Sequence, residues 1–207
     1  MRTNVYIDSF NLYYGCLKGT PHRWLDLDAL CRRLLPRNQI NRIRFFTARV
    51  KDRPHDPQQS ARQDTYFRAL RTIPHLEIHE GNFLTAVTSM PLAVPPPTGP
   101  KTVRVIKTEE KGSDVNLATY LLLDGFQGDY EVAVVMSGDT DLVEPIAVVQ
   151  KHLNLRVGVL NPHPRRSAEL AKVATFYKPI GRKVLPRCQF SNPLTDHQGT
   201  FHKPAGW

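Results

Sequence analysis

No stretch of the 207 residues approaches eighteen consecutive apolar side chains, so nothing in the sequence reads as a bilayer-spanning helix. Cysteine is scarce. Cys16, Cys31 and Cys188 are far apart and odd in number; they form neither a C-x-x-C pair nor a disulfide framework. A reduced, cytoplasmic compartment is expected. The lack of close Cys or His spacing also argues against a structural zinc site. There is no internal repeat, and no glycine-rich dinucleotide or triphosphate fingerprint. Acidic residues are outnumbered, 19 against 28 Lys and Arg, for a formal charge of +9. That excess favours an anionic partner such as nucleic acid. Met1 to Asn4 run straight into a strand-like segment with no apolar leader, which argues against secretion.

The apolar pattern alternates between strand and helix periods. Val5-Tyr6-Ile7, ending at Asp8, reads as a first strand. Leu25 to Leu35 carries apolar residues at helical spacing, with Asp26 as a cap and Pro36 as a stop. Ile43 to Val50 reads as a strand, Gln59 to Leu70 as an amphipathic helix turned inward on Tyr66, Phe67 and Leu70, and Leu76 to His79 as a strand. Residues 82–100 hold five prolines, which predict a long irregular excursion with Val103 to Ile106 extended on its far side. Val115 to Leu123 predicts a helix. Glu131 to Met136 is continuously apolar after its first residue, as in a strand buried on both faces. Asp141 to His152, Arg156 to Leu160, Ser167 to Val173 and Thr175 to Tyr177 continue as helix, strand, helix and strand. Strands separated by helices pair in parallel through crossovers. The expected architecture is α/β: a three-layer α/β/α sandwich on a mainly parallel, Rossmann-like sheet. It covers residues 1–180, with 181–207 as a polar tail whose Phe201 or Trp207 is expected to tuck against the body.

In open parallel sheets, sites form beyond the carboxyl ends of the strands. Asp8 directly follows the first strand. Asp139 and Asp141 follow the apolar strand in Ser137-Gly138-Asp139-Thr140-Asp141. Asp114 opens the helix after Lys111-Gly112-Ser113. Clustered carboxylates resist ionisation unless a cation compensates them, and Mg²⁺ or Mn²⁺ prefers such oxygen ligands. The ion would hold phosphate and activate water. Local structural roles compete with this reading. Asp8 could simply end its strand, and Asp114 could simply cap its helix. Asp141 with Glu144 makes a capping box, so Asp139 has less need of a structural role. Gly138 reads as a tight turn. Asn11 could cap the first helix, or orient a carboxylate or phosphate.

Asp8-Ser9-Phe10-Asn11-Leu12, Glu110-Lys111-Gly112-Ser113-Asp114-Val115 and Ser137-Gly138-Asp139-Thr140-Asp141-Leu142, in that order, resemble the NYN domain family, a branch of the PIN-like nucleases. The likeness spans roughly residues 3–178. It implies an α/β/α domain and metal-dependent RNA cleavage or processing. Asp8, Asp114 and Asp139 match the acidic metal-binding positions and Asp141 a fourth. Asn11 matches the polar companion of the first aspartate, and Ser137 the small hydroxyl residue before the central acids. Ser9 departs from the family, which often has glycine there.

The expected activity is that of an endoribonuclease hydrolysing RNA, preferentially single-stranded, with Mg²⁺ or Mn²⁺ and metal-activated water. Asp8, Asp114, Asp139, Asp141 and Asn11 form the catalytic set. Asn11, Lys111, Ser137, Arg165 and Arg166 are the candidates for contacting substrate. Arg49, Lys51 and Arg53 could extend a basic track. Of Tyr13 and Tyr14, one could stack on a base while the other packs inward. His55, His75 and His79 show no ligand spacing. The alternatives are an RNA-binding module without catalysis and a nuclease restrained by an inhibitory partner or by a second copy of itself. A phosphatase is disfavoured because Asp8 lacks the Asp-x-Asp pattern after the first strand.

Overall fold

The computed structural model describes the whole chain, Met1 to Trp207. Seven strands form one sheet: β1 (Arg2–Asp8), β2 (Gln39–Ala48), β3 (Leu76–Pro91), β4 (Thr102–Lys111), β5 (Val132–Met136), β6 (Arg156–Asn161) and β7 (Phe176–Pro179). Their order is β4-β3-β2-β1-β5-β6-β7. Every neighbouring pair is parallel except β3–β4. The α/β/α architecture expected from the alternation is what the chain forms.

Side chains on a strand point alternately to the two faces of its sheet, and this alternation builds two cores. On β1, Val5 and Ile7 join the larger core while Tyr6 joins the smaller. On β5, Val132, Val134 and Met136 divide from Ala133 and Val135 in the same way. The larger core is closed by α1 (Ser9–Leu12), α2 (Leu27–Leu34) and α3 (Gln59–Leu70). The smaller is closed by α4 (Ser113–Phe126), α5 (Val143–Leu153) and α6 (Ala168–Val173). Each large apolar side chain buried this way contributes about 1.5–3 kcal/mol, and the continuous apolar run of β5 suits its place beside β1, with strands on both sides and helices over both faces.

The helix over Gln59–Leu70 lies where its pattern predicts, with Tyr66, Phe67 and Leu70 buried. Residues 82–100 do not form the predicted irregular excursion. β3 continues to Pro91 and pairs antiparallel with β4 from Asn82↔Lys111 to Pro91↔Thr102. The prolines mislead because Pro91 closes β3 and the other four lie in the connecting turn, leaving the β-branched Thr85, Val87 and Thr88 free to pair. The result is a two-stranded arm that leaves the body.

Although polar in composition, residues 181–207 lie on the body. Leu185, Cys188, Phe190 and Phe201 enter the larger core. The guanidinium of Arg68 on α3 clamps Asp196 through two 2.7 Å hydrogen bonds. The Trp207 ring meets Tyr66 at 5.7 Å. No helix is long and apolar enough to cross a membrane.

Candidate active site

β1 and β5 are neighbours, and the chain leaves them toward opposite edges of the sheet. Their carboxyl ends therefore flank a topological switch point, where α/β sheets open a crevice. Asp8, the last residue of β1, is 3% exposed. Its Oδ1 accepts the Asn11 backbone N–H at 3.0 Å and caps α1. Its Oδ2 accepts Asn11 Nδ2 at 2.6 Å and Ser137 Oγ at 3.0 Å. Burial pushes the Asp8 carboxyl up, and these three hydrogen bonds pull it back. Ser9 begins α1 with no left-handed backbone, so its departure from glycine causes no strain.

Ser137 follows β5 and is fully buried. Its Oγ also accepts the Asp139 N–H at 3.0 Å. It lies behind Asp8, sealed from solvent. Gly138 is needed for space and not for a turn: a Cβ there would meet His163 at 2.8 Å and Asn161 at 2.9 Å. Its N–H donates to Asn11 Oδ1 at 3.1 Å.

Asp139, not Asp141, is the cap. Asp139 Oδ1 accepts the Asp141 N–H at 3.0 Å and starts a 3₁₀ turn over Thr140–Leu142 that leads into α5. The capping box predicted for Asp141 and Glu144 does not form, because the extra turn moves the start of α5 to Val143. Asp141 is exposed and Asp139 partly exposed.

Asp114 lies half-buried in the first turn of α4. Its carboxyl is pushed up to about 6, first by burial and then by the charges of Asp8, Asp139, Glu110 and Asp141. The acids predicted from three separate segments thus lie within each other's fields. No three carboxylate, imidazole or thiolate groups close around a single point.

Three residues join the site that were not among the sequence candidates. His163, in the loop after β6, donates from Nε2 to Asn11 Oδ1 at 2.9 Å. Asn161, at the end of β6, holds that loop by donating from Nδ2 to the carbonyls of His163 and Arg165. Glu110 on β4 accepts the Ser113 N–H at 3.1 Å and adds negative charge beside Asp114. Asn11 is the common partner of three segments, tying β1 to the loops after β5 and β6.

The cations are less concentrated than the sequence suggested. Lys111 is exposed and bonds Glu109 at 3.2 Å, so it lies along the arm. Arg165 and Arg166 are both exposed in the loop next to His163. Arg166 leans over the Tyr177 ring at 5.5 Å. Arg49 is paired with Glu80 and Asp64. Tyr13 packs against the larger core, and Tyr14 is 59% exposed with the Lys18 ammonium 4.8 Å above its ring.

A model of the NYN domain matches residues 2–180. The chain belongs to the NYN domain family. The match covers all three acidic segments and carries with it a nuclease-like, PIN-like fold. This NYN domain is also 33% identical over 240 aligned residues to a Pseudomonas putida protein named 6-hydroxy-3-succinoylpyridine 3-monooxygenase HspA. The alignment spans 100% of this chain and 75% of that one. The crystal structure of a protein of unknown function from Vibrio parahaemolyticus superposes with a TM-score of 0.57. It shares 17% identity, over 87% of this NYN domain and 93% of that chain. That likeness concerns the fold alone.

Proposed function

We propose that this NYN domain is a metal-dependent endoribonuclease that hydrolyses RNA phosphodiester bonds at the carboxylate cluster. The observation that carries the reading is Asp114, whose carboxyl is held near 6 by burial and by four neighbouring acids. Such mutual repulsion calls for a cation, and a donor set made only of carboxylate and amide oxygens suits Mg²⁺ or Mn²⁺. Asp8, Asp114 and Asp139 are the residues to hold it, with Asp141 at the exposed rim. A bound divalent cation supplies phosphate neutralisation and a more acidic water.

The chain's own residues do the rest. Asn11 and Ser137 fix the direction of the Asp8 oxygens. Asp139 keeps Oδ1 on the 3₁₀ turn and accepts no protein hydrogen bond at Oδ2. Arg165 and Arg166 stand on the exposed side to contact the phosphate backbone, and the Tyr14 ring to stack on a base. The test is cleavage of labelled single-stranded RNA, structured RNA and DNA by the full chain with Mn²⁺, Mg²⁺ or EDTA, beside Asp139→Asn. The expected result is metal-dependent RNA cleavage lost in EDTA and in the variant. Identical background cleavage in every arm would overturn the proposal.

A second reading comes from the name of the Pseudomonas relative, which denotes hydroxylation of a substituted pyridine. Incubating the same protein with 6-hydroxy-3-succinoylpyridine, oxygen and NADH separates the two. Product formation without metal-dependent RNA cleavage would favour this reading.

The raised Asp114 pKa sets the pH behaviour of the site. A protonated carboxyl is a poor metal ligand, so Mn²⁺ affinity measured by titration calorimetry should fall as pH drops below about 6. Stability moves in the opposite sense. The folded value lies above the unfolded 3.8, so the native state holds this proton more tightly. The contribution is fully present below about pH 3.8 and is lost as pH rises through about 6. In EDTA, Asp114→Asn should therefore raise the thermal midpoint relative to the parent more at pH 7.5 than at pH 4.5. An equal difference at both values would show that Asp114 is not strained by its neighbours.

A further inference from the structure

The β3–β4 arm carries far more apolar surface than its position warrants. Leu84, Val87, Met90, Leu92, Val94, Val103 and Ile106 are all exposed, Ile106 at 75%. They make up seven of the twelve exposed large apolar residues of the chain. Ten residue pairs make a ribbon roughly 33 Å long. An isolated two-stranded ribbon is marginally stable in water, and no arm residue from Asn82 to Lys111 belongs to either buried core.

The outer edge of β4 is also open. β4 is the terminal strand of the sheet and bonds only to β3. Neither proline nor glycine interrupts Thr102–Lys111, and its charges are of both signs, Arg104, Lys107 and Lys111 against Glu109 and Glu110, so the edge repels a strand of one charge sign more than it repels an antiparallel copy of itself.

We propose that this arm joins two copies of the chain, with β4 of one pairing antiparallel to β4 of the other about a two-fold axis near Ile106 and Lys107. Antiparallel self-pairing sets the Lys101 and Arg104 end of one strand against the Glu109 and Glu110 end of its copy. Lys107, beside the axis, is already neutralised by Glu109 of its own strand. With the axis at Ile106, the Ile106 side chain then meets Ile106 of the copy on one face, and Arg104 lies diagonally across from Glu110 of the copy on that same face. A two-fold contact of this kind uses one surface twice.

RNA fits the arm less well. Lys107 and Lys111 both bond Glu109, which leaves Lys101 and Arg104 as the arm's unpaired cations, two charges along the whole ribbon. The one aromatic residue on the paired strands, Phe83, packs edge-to-face on Phe10 at 5.7 Å. The exposed side chains are aliphatic and offer no stacking platform.

The test is the solution mass of the full chain by sedimentation equilibrium at micromolar concentration. The expected value is twice the 23.6 kDa chain mass. Replacing residues 85–108 by Asn-Gly, a two-residue turn between the paired Leu84 and Glu109, should give the single-chain mass. Ile106→Lys leaves the fold of the body untouched and should weaken dimerisation at least tenfold. A parent protein that sediments as a monomer overturns the proposal, as does a shortened chain that still dimerises.

Discussion

Asp8→Asn should abolish metal-dependent cleavage, lowering it by at least about 10²-fold, because a loss at the ligand itself should exceed the 10–100-fold typical of outer-shell changes. The substitution keeps the volume of a nearly sealed side chain but removes its charge. It also replaces one acceptor by a donor that faces either Asn11 Nδ2 and Ser137 Oγ together or, turned round, the Asn11 backbone N–H. Ser137 can reverse its hydroxyl to accept, whereas Asn11 Nδ2 cannot. The mismatch costs about 1–3 kcal/mol, partly offset because the buried charge is gone. The folded state should survive, as judged by circular dichroism and a cooperative melt. A second readout separates loss of chemistry from damage. Asp8 is the first of the charges raising Asp114, so the Asp114 carboxyl followed by NMR should titrate lower in the variant. Asp141→Asn is the contrast: its exposed side chain lies farthest down the order of acids acting on Asp114, and its loss should cost much less. If Asp8→Asn cleaves like the parent, Asp8 is only the cap of α1.

The strand order and the site differ in how far local pattern reveals them. β5 was legible because five consecutive residues are fully buried, which leaves a continuous apolar run. Asp8, Asp114 and Asp139 were legible because each stands at a strand or helix junction, where acids need a reason. The arm was not, since its strands are exposed on both faces and show no alternation, while the nearby prolines give a strong contrary signal. The exchange of roles between Asp139 and Asp141 depends on one extra 3₁₀ turn, which Asp-Thr-Asp spacing does not disclose. His163 acts through a tertiary hydrogen bond to Asn11, 152 residues away in sequence, and nothing local marks it, while Glu110, inside the motif that opens α4, bonds only the Ser113 N–H and owes its effect to its closeness to Asp114. Gly138 signalled glycine chemistry correctly but for the wrong cause. The need for room arises from a loop that follows β6 and is invisible from the segment itself.

A buried polar network on the opposite side of β1 predicts the largest effect on stability. Arg44 on β2 is 6% exposed and Asp124 on α4 is 1% exposed. The guanidinium meets the carboxylate through Nε at 2.7 Å and Nη2 at 2.8 Å. Tyr6 donates its hydroxyl to the same carboxylate at 2.7 Å, and the Tyr120 ring lies 4.4 Å beneath the guanidinium. Burial and Asp124 together push the Tyr6 hydroxyl far above its usual range, so it remains a donor at any working pH. Glu77 and His79 on β3 contact the remaining Arg44 nitrogen. Asp124→Ala leaves a desolvated cation and a phenol without their acceptor, which should cost about 3–5 kcal/mol. For a chain of this size that is a fall of roughly 10 °C in thermal midpoint. The double variant Arg44→Met with Asp124→Leu removes both charges and keeps most of the volume, and it should recover much of the loss. Chemical denaturation of the parent, the single variant and the double variant checks both expectations. A single-variant loss under about 1 kcal/mol would mean that water reaches Arg44. Because α4 carries Asp124 near its end and Asp114 at its start, the same measurement in cleavage assays tests whether the network holds the helix that presents the acid. In that case Asp124→Ala should lower activity at temperatures well below its melt, and the double variant should restore it.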